Sequence, residues 1–227
     1  MMDWIHNYDL FLFDFDGLLV NTEMIHYRAY KKMCADRGFN LDWDFAKYIE
    51  IAHYSSEGLE RHVYGCFPEL QEIEPNWPVL YAEKKAALIG LFHQEPVPLM
   101  PGVEKLLNEL QKAQKKRCVV THSDIDLVTI IREKNPVLNT IPEWITRFDY
   151  NEPKPHPECY IKAIDKFAVE GDRVVGFEDT PRGITALRGS IAKPVIITEI
   201  DYPELREYGN IGVSHYKTFE ELFLVGV

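Results

Sequence analysis

The feature that most constrains the fold is an unbroken apolar run that ends in acidic residues. Leu10-Phe11-Leu12-Phe13 contains no polar position, and Asp14-Phe15-Asp16-Gly17 follows it directly. A strand that is apolar throughout is typical of a parallel sheet covered on both faces, because both sides of the strand are then buried. The run therefore predicts a central strand of an α/β protein.

Further along, the chain alternates between short strands and helices. Apolar runs at 118–120, 174–177 and 195–197 predict strands. Helical patterns near 126–133 and 157–167 lie between the first two of these runs. Units of this kind form right-handed crossovers and hence a parallel sheet.

The segment from about Leu41 to Phe92 interrupts this alternation. It contains two or three helical stretches and no convincing strand, and Pro96-Val97-Pro98 predicts the linker that returns to the core. The pattern indicates a helical insertion. The predicted domains are a core formed by 1–20 and 96–227 and an insertion formed by 21–95. The basic residues of the insertion are predicted to lie mostly on a solvated face, and binding of a substrate carboxylate or second phosphate by one or two of them stays open. They are Arg28, Lys31, Lys32, Arg61, Lys84 and Lys85.

Composition limits the partners and the compartment. The formal net charge of −11 opposes binding of a polyanion, so nucleic acid is not a predicted partner. No apolar run approaches the roughly 20 residues that span a bilayer, and the first six residues lack the features of a secretory signal. These observations predict a cytoplasmic protein with no membrane partner. The four widely spaced cysteines are predicted to be reduced thiols.

Polar residues follow several predicted strands, where ligands of an open parallel sheet bind. Each residue type alone has a common structural interpretation as a turn residue, helix cap or surface charge. Their joint placement points to chemistry, because clustered carboxylates repel one another unless a divalent cation neutralises them, and oxygen ligands suit Mg²⁺. The residues are Asp14 and Asp16, Thr121 and Ser123, Glu178 and Asp179, and Lys154 in a proline-rich segment.

Four segments resemble, in the right order, the four motifs of the haloacid dehalogenase superfamily. They are residues 14–23, 119–123, 154–157 and 176–184. The most similar branch has a helical cap between the first two motifs and contains β-phosphoglucomutase and many sugar-phosphate and phosphoglycolate phosphatases. The resemblance extends from about Leu10 to Ile197. It implies an α/β fold with a Rossmann-like parallel sheet core and an inserted helical cap domain.

The resemblance also implies a reaction, in which a magnesium-dependent phosphatase forms an aspartyl-phosphate. Asp14 would be the nucleophile. Asp16 would be the general acid and base, and its backbone carbonyl would help to bind the metal. The residues implied to hold Mg²⁺ are Asp14, Asp16, Glu178 and Asp179, with Glu178 either a direct ligand or a neighbour of one.

Three residues are implied to bind the transferring phosphoryl group, namely Thr121, Ser123 and Lys154. His26 matches a position where some sugar-phosphate members carry a histidine, although a lone helical histidine is more often a packing or surface residue. Asn21 stands where the family frequently has an acidic residue. It contributes no group to the implied chemistry.

The implied substrate is a small phosphorylated metabolite, of which sugar phosphates are one class. Three alternatives are weighed against this interpretation. A phosphomutase would use the same aspartyl-phosphate and return the phosphoryl group to a sugar. A catalytically silent binding module would keep the fold without needing Asp14, Asp16, Lys154 and Asp179 together. A dehalogenase is disfavoured because that chemistry does not need Asp16.

Overall fold

The computed structural model describes residues 2–54 and 58–227, and a parallel sheet is its central element. The strands are β1 (Leu10–Phe13), β2 (Lys116–Val120), β3 (Glu143–Ile145), β4 (Val174–Glu178), β5 (Lys193–Ile197) and β6 (Ser214–Tyr216). Their order across the sheet is β3-β2-β1-β4-β5-β6, and each neighbouring pair is parallel. The α/β class with a parallel sheet is therefore confirmed.

Strand β1 lies at the centre of the sheet, between β2 and β4. Phe13 is paired with Val119 on one side and Phe177 on the other. All residues of β1 are fully buried, which accounts for the apolar run in the sequence. Because these three strands are parallel and adjacent, the residues after their carboxyl ends meet at one edge of the sheet.

The apolar runs do not predict the strands at the two edges, β3 and β6. Each has only three residues, and neither Glu143-Trp144-Ile145 nor Ser214-His215-Tyr216 is a continuous apolar segment. Edge strands pair on one side and are partly exposed, so their hydrophobicity carries little signal. Pairing with β2 and β5 stabilises them in the folded chain.

The helices of the described residues are consistent with most of the predicted positions. They are α1 (Glu23–Asp36), α2 (Phe45–Ala52), α3 (Gly58–Cys66), α4 (Pro68–Ile73), α5 (Trp77–Gln94), α6 (Val103–Lys112), α7 (Ile125–Lys134), α8 (Glu158–Phe167), α9 (Pro181–Arg188), α10 (Leu205–Tyr208) and α11 (Leu222–Val225). Short 3-10 helices occupy Asp3–Asn7, Pro136–Thr140, Arg147–Asp149 and Gly209–Ile211. Within the described ranges, no helix has both the length and the hydrophobicity that crossing a bilayer requires.

Contacts divide the chain into two compact units. One contains the described residues up to Asn21 and from Pro98 onward, and it includes the whole sheet. The other contains the described residues from Thr22 to Val97 and is helical. The prediction that residues 21–95 form a separate domain stays a prediction.

The second unit has more helices than the sequence predicts. Within the described part of residues 41–94, the structure has four helices, α2 to α5, where the sequence indicates two or three. The difference arises at the prolines, since Pro68 and Pro78 lie in the first turns of α4 and α5. Proline is tolerated there because the first amides of a helix have no intrahelical acceptor. The unit has its own apolar core, which includes Met33, Val63 and Leu80.

The two faces of the sheet are packed differently. Leu10 and Leu12 belong to a cluster that also contains buried residues of α8 and α9. Phe13 belongs to an aromatic group, in which its ring stacks on Phe177 at a centroid distance of 5.2 Å and both rings contact Phe219. Burial on both faces holds the strand ends rigidly, which a site built from several strands requires.

Replacing Phe11 by Ala should lower the free energy of unfolding by about 3–5 kcal/mol, because a fully buried ring is lost from a packed core. The matched control is Phe148→Ala. Phe148 is 75% exposed, so its loss should change the free energy of unfolding by no more than about 0.5 kcal/mol. Urea denaturation of both variants checks the prediction, and equal losses would contradict the assigned packing.

Candidate active site

The candidate site lies at the carboxyl edge of the three central strands. The amide of Asp14 donates to the carbonyl of Phe177 (3.0 Å), which continues the pairing of β1 with β4 beyond the strand. The amide of Thr121 donates to the carbonyl of Ile145 (2.9 Å) and does the same for β2 and β3. The backbone on which these two side chains stand is therefore fixed by the sheet.

A tight turn follows β1 and positions Asp16. Gly17 has a φ of 79°, a conformation that a residue with a side chain rarely adopts. Its amide donates to the carbonyl of Val20 (2.9 Å), and the amide of Leu19 donates to the carbonyl of Phe15 (2.9 Å). The turn thus reverses the chain directly after the two aspartates.

Lys154 connects the strand ends through its ammonium group. The side chain is 6% exposed, and Nζ donates to Asp14 Oδ1 (2.5 Å), Glu178 Oε1 (2.7 Å) and the carbonyl of Val120 (2.9 Å). A buried ammonium needs such partners, because removing it from water without them costs several kcal/mol. The structure therefore brings together Asp14, Lys154 and Glu178, which the sequence separates widely.

The electrostatics of the group are dominated by burial and by mutual contacts. Burial raises the pKa of Asp14 to about 7, and Glu178 adds to the increase while Lys154 opposes it. Burial by itself would lower the pKa of Lys154, but the carboxylates of Asp14 and Glu178 outweigh it and raise that pKa well above its usual value. The site thus concentrates negative charge around one fixed cation.

Three carboxylates lie close enough to share a metal ion. Asp14, Glu178 and Asp179 each offer one oxygen, and these oxygens lie within 4.8 Å of one another. An all-oxygen donor set with this charge fits a hard divalent cation such as Mg²⁺. The carboxylate of Asp16 is not part of this group and accepts a hydrogen bond from Ser123 Oγ (2.6 Å).

Glu178 is held from several sides. Tyr160 Oη donates to its Oε1 at 2.5 Å, alongside the bond from Lys154. Its other oxygen packs against Gly183, where an added Cβ would lie 1.9 Å from Oε2. Only glycine fits at this position of α9, so the carboxylate is fixed by close packing as well as by hydrogen bonds.

The loop after β2 carries two predicted phosphate ligands. The Thr121 side chain is buried, and its hydroxyl oxygen accepts from the amide of Ser123 (2.9 Å). The hydroxyl of the buried residue Tyr150 donates to the carbonyl of Thr121 (3.1 Å). This arrangement braces the loop against the core while Ser123 stays partly exposed.

The sequence profile described as haloacid dehalogenase-like hydrolase matches residues 11–194. The chain belongs to this family. The implied fold is thereby confirmed, and so is the predicted enzyme class, a hydrolase of the phosphatase type.

Individual relatives of this hydrolase span most of its length. It is 32% identical over 210 residues to 2-deoxyglucose-6-phosphate phosphatase 1 of Saccharomyces cerevisiae, covering 84% of this chain and 80% of that one. It is 27% identical over 185 residues to protein CbbY of Cereibacter sphaeroides, covering 79% of each chain. The crystal structure of CbbY from Rhodobacter sphaeroides in complex with phosphate has the same fold, with a TM-score of 0.76 at 21% identity, covering 95% of this chain and 96% of that one.

The remaining predicted site residue of the hydrolase, His26, lies on α1 in the second unit. Its Nδ1 atom lies 3.0 Å from Nζ of Lys84. Lys84 is an exception to the predicted solvated face, because its side chain is 3% exposed and its ammonium lies 4.9 Å from the centre of the Tyr30 ring. The helical pattern alone does not show that α1 and α5 pack closely enough to bury this lysine.

Tyr160 is the residue of the hydrolase site that sequence reasoning missed. Its ring is fully buried, and burial followed by the charge of Glu178 raises the pKa of its hydroxyl well above the usual value. The phenol therefore stays protonated and donates to Glu178. No signal in the sequence separates this tyrosine from an ordinary core residue, because it occupies a buried position in the first turn of α8.

Tyr160→Phe should lower the free energy of unfolding by roughly 1.5–3 kcal/mol, since it removes a hydrogen bond to a buried carboxylate and keeps the ring. Tyr64→Phe is the matched control. Its hydroxyl donates to the neutral carbonyl of Glu74 (2.8 Å), and loss of this bond should cost only about 0.5–1.5 kcal/mol. Urea denaturation compares the two variants, and a smaller loss at Tyr160 would contradict the assigned partner.

Proposed function

We propose that this hydrolase is a magnesium-dependent phosphatase that cleaves a small phosphorylated metabolite through an aspartyl-phosphate on Asp14. The observation that carries the proposal is the contact of the buried Lys154 ammonium with Asp14 at 2.5 Å, beside a group of three carboxylates. A fixed cation next to a carboxylate nucleophile is the arrangement that phosphoryl transfer needs, because it stabilises charge on the transferring oxygens.

In the first step, the Asp14 carboxylate forms a bond to phosphorus as the ester bond to the leaving oxygen breaks. Asp16 gives its proton to that oxygen. In the second step, Asp16 takes a proton from water, whose oxygen attacks phosphorus and releases inorganic phosphate. Asp14 is thereby regenerated, and splitting the reaction into two steps lowers each barrier.

The residues proposed to hold Mg²⁺ are Asp14 and Asp179 through their carboxylates and Asp16 through its backbone carbonyl. Glu178 is proposed as a ligand or as a neighbour that positions Asp179, since its Oε1 already accepts from Lys154 and Tyr160. Bound Mg²⁺ would neutralise charge on the phosphoryl oxygens. Thr121 and Lys154 are proposed to bind those oxygens and orient the phosphorus towards Asp14.

The proposed substrate is a phosphorylated sugar or a related metabolite of the cytoplasm. The proposal is supported by the 32% identity to a yeast phosphatase named for 2-deoxyglucose 6-phosphate. The net charge of −11 disfavours nucleic acid as a substrate. We further propose that residues 21–95 form the cap domain and contribute substrate contacts, with His26 as one candidate.

Chelation with EDTA should abolish hydrolysis of a sugar phosphate, and added Mg²⁺ should restore it. Calcium should inhibit, because its longer bonds and higher coordination number would misplace Asp14 relative to phosphorus. Asp179→Asn should raise the Mg²⁺ concentration for half-maximal activity by at least the roughly 10-fold typical of weakened metal sites. Asp201→Asn changes an exposed carboxylate and serves as the control. Full turnover after exhaustive chelation would refute the metal site.

Asp16→Ala should slow turnover of an alkyl phosphate by roughly 10²- to 10⁴-fold, the range of general acid–base catalysis. With an aryl phosphate the leaving phenolate is already stable, so formation of the phosphoenzyme should be much less affected. The variant should then release a burst of phenol and accumulate enzyme phosphorylated on the peptide that carries Asp14, detectable by mass spectrometry.

Asp14→Asn is the control for this experiment and should show neither the burst nor the label. Equal slowing with both leaving groups and no phosphoenzyme would contradict the acid–base role of Asp16. Formation of an isomeric sugar phosphate in place of inorganic phosphate would favour the phosphomutase alternative.

A further inference from the structure

We propose that Ser123 is a positioning residue for Asp16 and does not bind the transferring phosphoryl group. The inference rests on the proposed function, because it concerns the carboxylate assigned as general acid and base. It differs from the role that the family resemblance implies for Ser123.

The hydroxyl of Ser123 is already engaged with Asp16. Ser123 Oγ lies 2.6 Å from Asp16 Oδ2, a distance typical of a hydroxyl donating to a charged oxygen. A serine hydroxyl carries a single proton. While it donates to Asp16, it has no proton left to donate to a phosphoryl oxygen.

The two catalytic aspartates have separate hydrogen-bond donors. Lys154 donates to Asp14 at 2.5 Å, whereas Ser123 donates to Asp16 at 2.6 Å. An aspartate side chain has two rotatable bonds, so a partly exposed carboxylate such as that of Asp16 needs a partner to hold one orientation. Ser123 is one such partner, and the Asp16 carboxylate that it contacts is not part of the group formed by Asp14, Glu178 and Asp179.

The backbone of Ser123 is fixed well enough for this role. Its amide donates to Thr121 Oγ1 (2.9 Å), and its carbonyl accepts from the amide of Arg147 (3.3 Å). These bonds attach the residue to the loop after β2 and to the segment after β3. The hydroxyl therefore approaches Asp16 from a braced loop, which is the condition for holding a catalytic group in one geometry.

The test compares substitutions of similar shape at position 123. Ser123→Thr keeps the hydroxyl, whereas Ser123→Val has nearly the same shape as threonine without it. Ser123→Ala removes only the hydroxyl and adds no bulk, so it carries less risk to folding. For an alkyl phosphate, kcat of the Val and Ala variants should fall by roughly 10- to 100-fold. A loss of this size is expected when a hydrogen bond to a charged group is removed. Their KM and their inhibition by inorganic phosphate should change by less than about 2-fold, and the Thr variant should retain most activity.

The dependence of the rate on the leaving group provides a second test. A purely structural role of Ser123 would not change this dependence. In the first turnover of an aryl phosphate, the Val and Ala variants should release phenol at nearly the wild-type rate, because that step needs little help from Asp16. Thr121→Val is the comparison. This variant removes a proposed phosphate contact. It should raise KM and lower the turnover rates of the alkyl and the aryl phosphate by the same factor.

A rise of about 10-fold or more in KM and in the inhibition constant of inorganic phosphate for Ser123→Ala, with equal slowing of both leaving groups, would overturn the inference and make Ser123 a phosphate ligand. Full activity of Ser123→Val would overturn it as well. If Asp16→Ala itself shows no dependence on the leaving group, the acid–base assignment fails instead. The two failures are therefore distinguishable.

Discussion

A buried ammonium group between two carboxylates is the interaction on which the rest of the site depends. Lys154 contacts Asp14 at the end of β1, Glu178 at the end of β4 and the carbonyl of Val120 at the end of β2. The charges compensate one another, because any one of them buried alone would cost several kcal/mol. A single side chain thus ties three strand ends together and stabilises the negative charge that a phosphoryl-transfer site requires.

The sheet makes this arrangement possible by its geometry. Parallel neighbours bring the residues after β1, β2 and β4 to one edge, and continued backbone pairing holds the amides of Asp14 and Thr121. Beneath this edge, the stacked rings of Phe13 and Phe177 are fully buried and leave little freedom to the strands. Packing of the hydrophobic core therefore fixes the positions of the strand ends, and with them the positions of the polar side chains of the site.

Two aspartates separated by one residue have different environments, and each accepts a hydrogen bond from a different side chain. Asp14 lies against Lys154 and Glu178, and the low exposure of its carboxylate, followed by the charge of Glu178, raises its pKa to about 7 although Lys154 opposes the increase. Asp16 is partly exposed, lies directly before the turn formed by Gly17 and accepts a hydrogen bond from Ser123. Environment, more than residue type, separates a nucleophile from an acid and base in such pairs.

The class of fold and most of the chemical groups of the site could be predicted from the amino-acid sequence. Continuous apolar runs identified β1, β2, β4 and β5, and their carboxyl ends placed Asp14, Thr121 and Glu178 as neighbours. Lys154 was identified in a proline-rich segment, and the family resemblance implied its role. Strands β3 and β6 were not predicted, because short and partly exposed segments have almost no hydrophobic pattern. Three contacts could not be predicted in this way: Tyr160 donates to Glu178, Ser123 donates to Asp16, and Lys84 is buried. The two hydrogen bonds join residues that are 18 and 107 positions apart. The ammonium of Lys84 is buried where α1 and α5 pack together. Side-chain directions and strand register, set by packing across the whole chain, determine such contacts, and local sequence does not encode them.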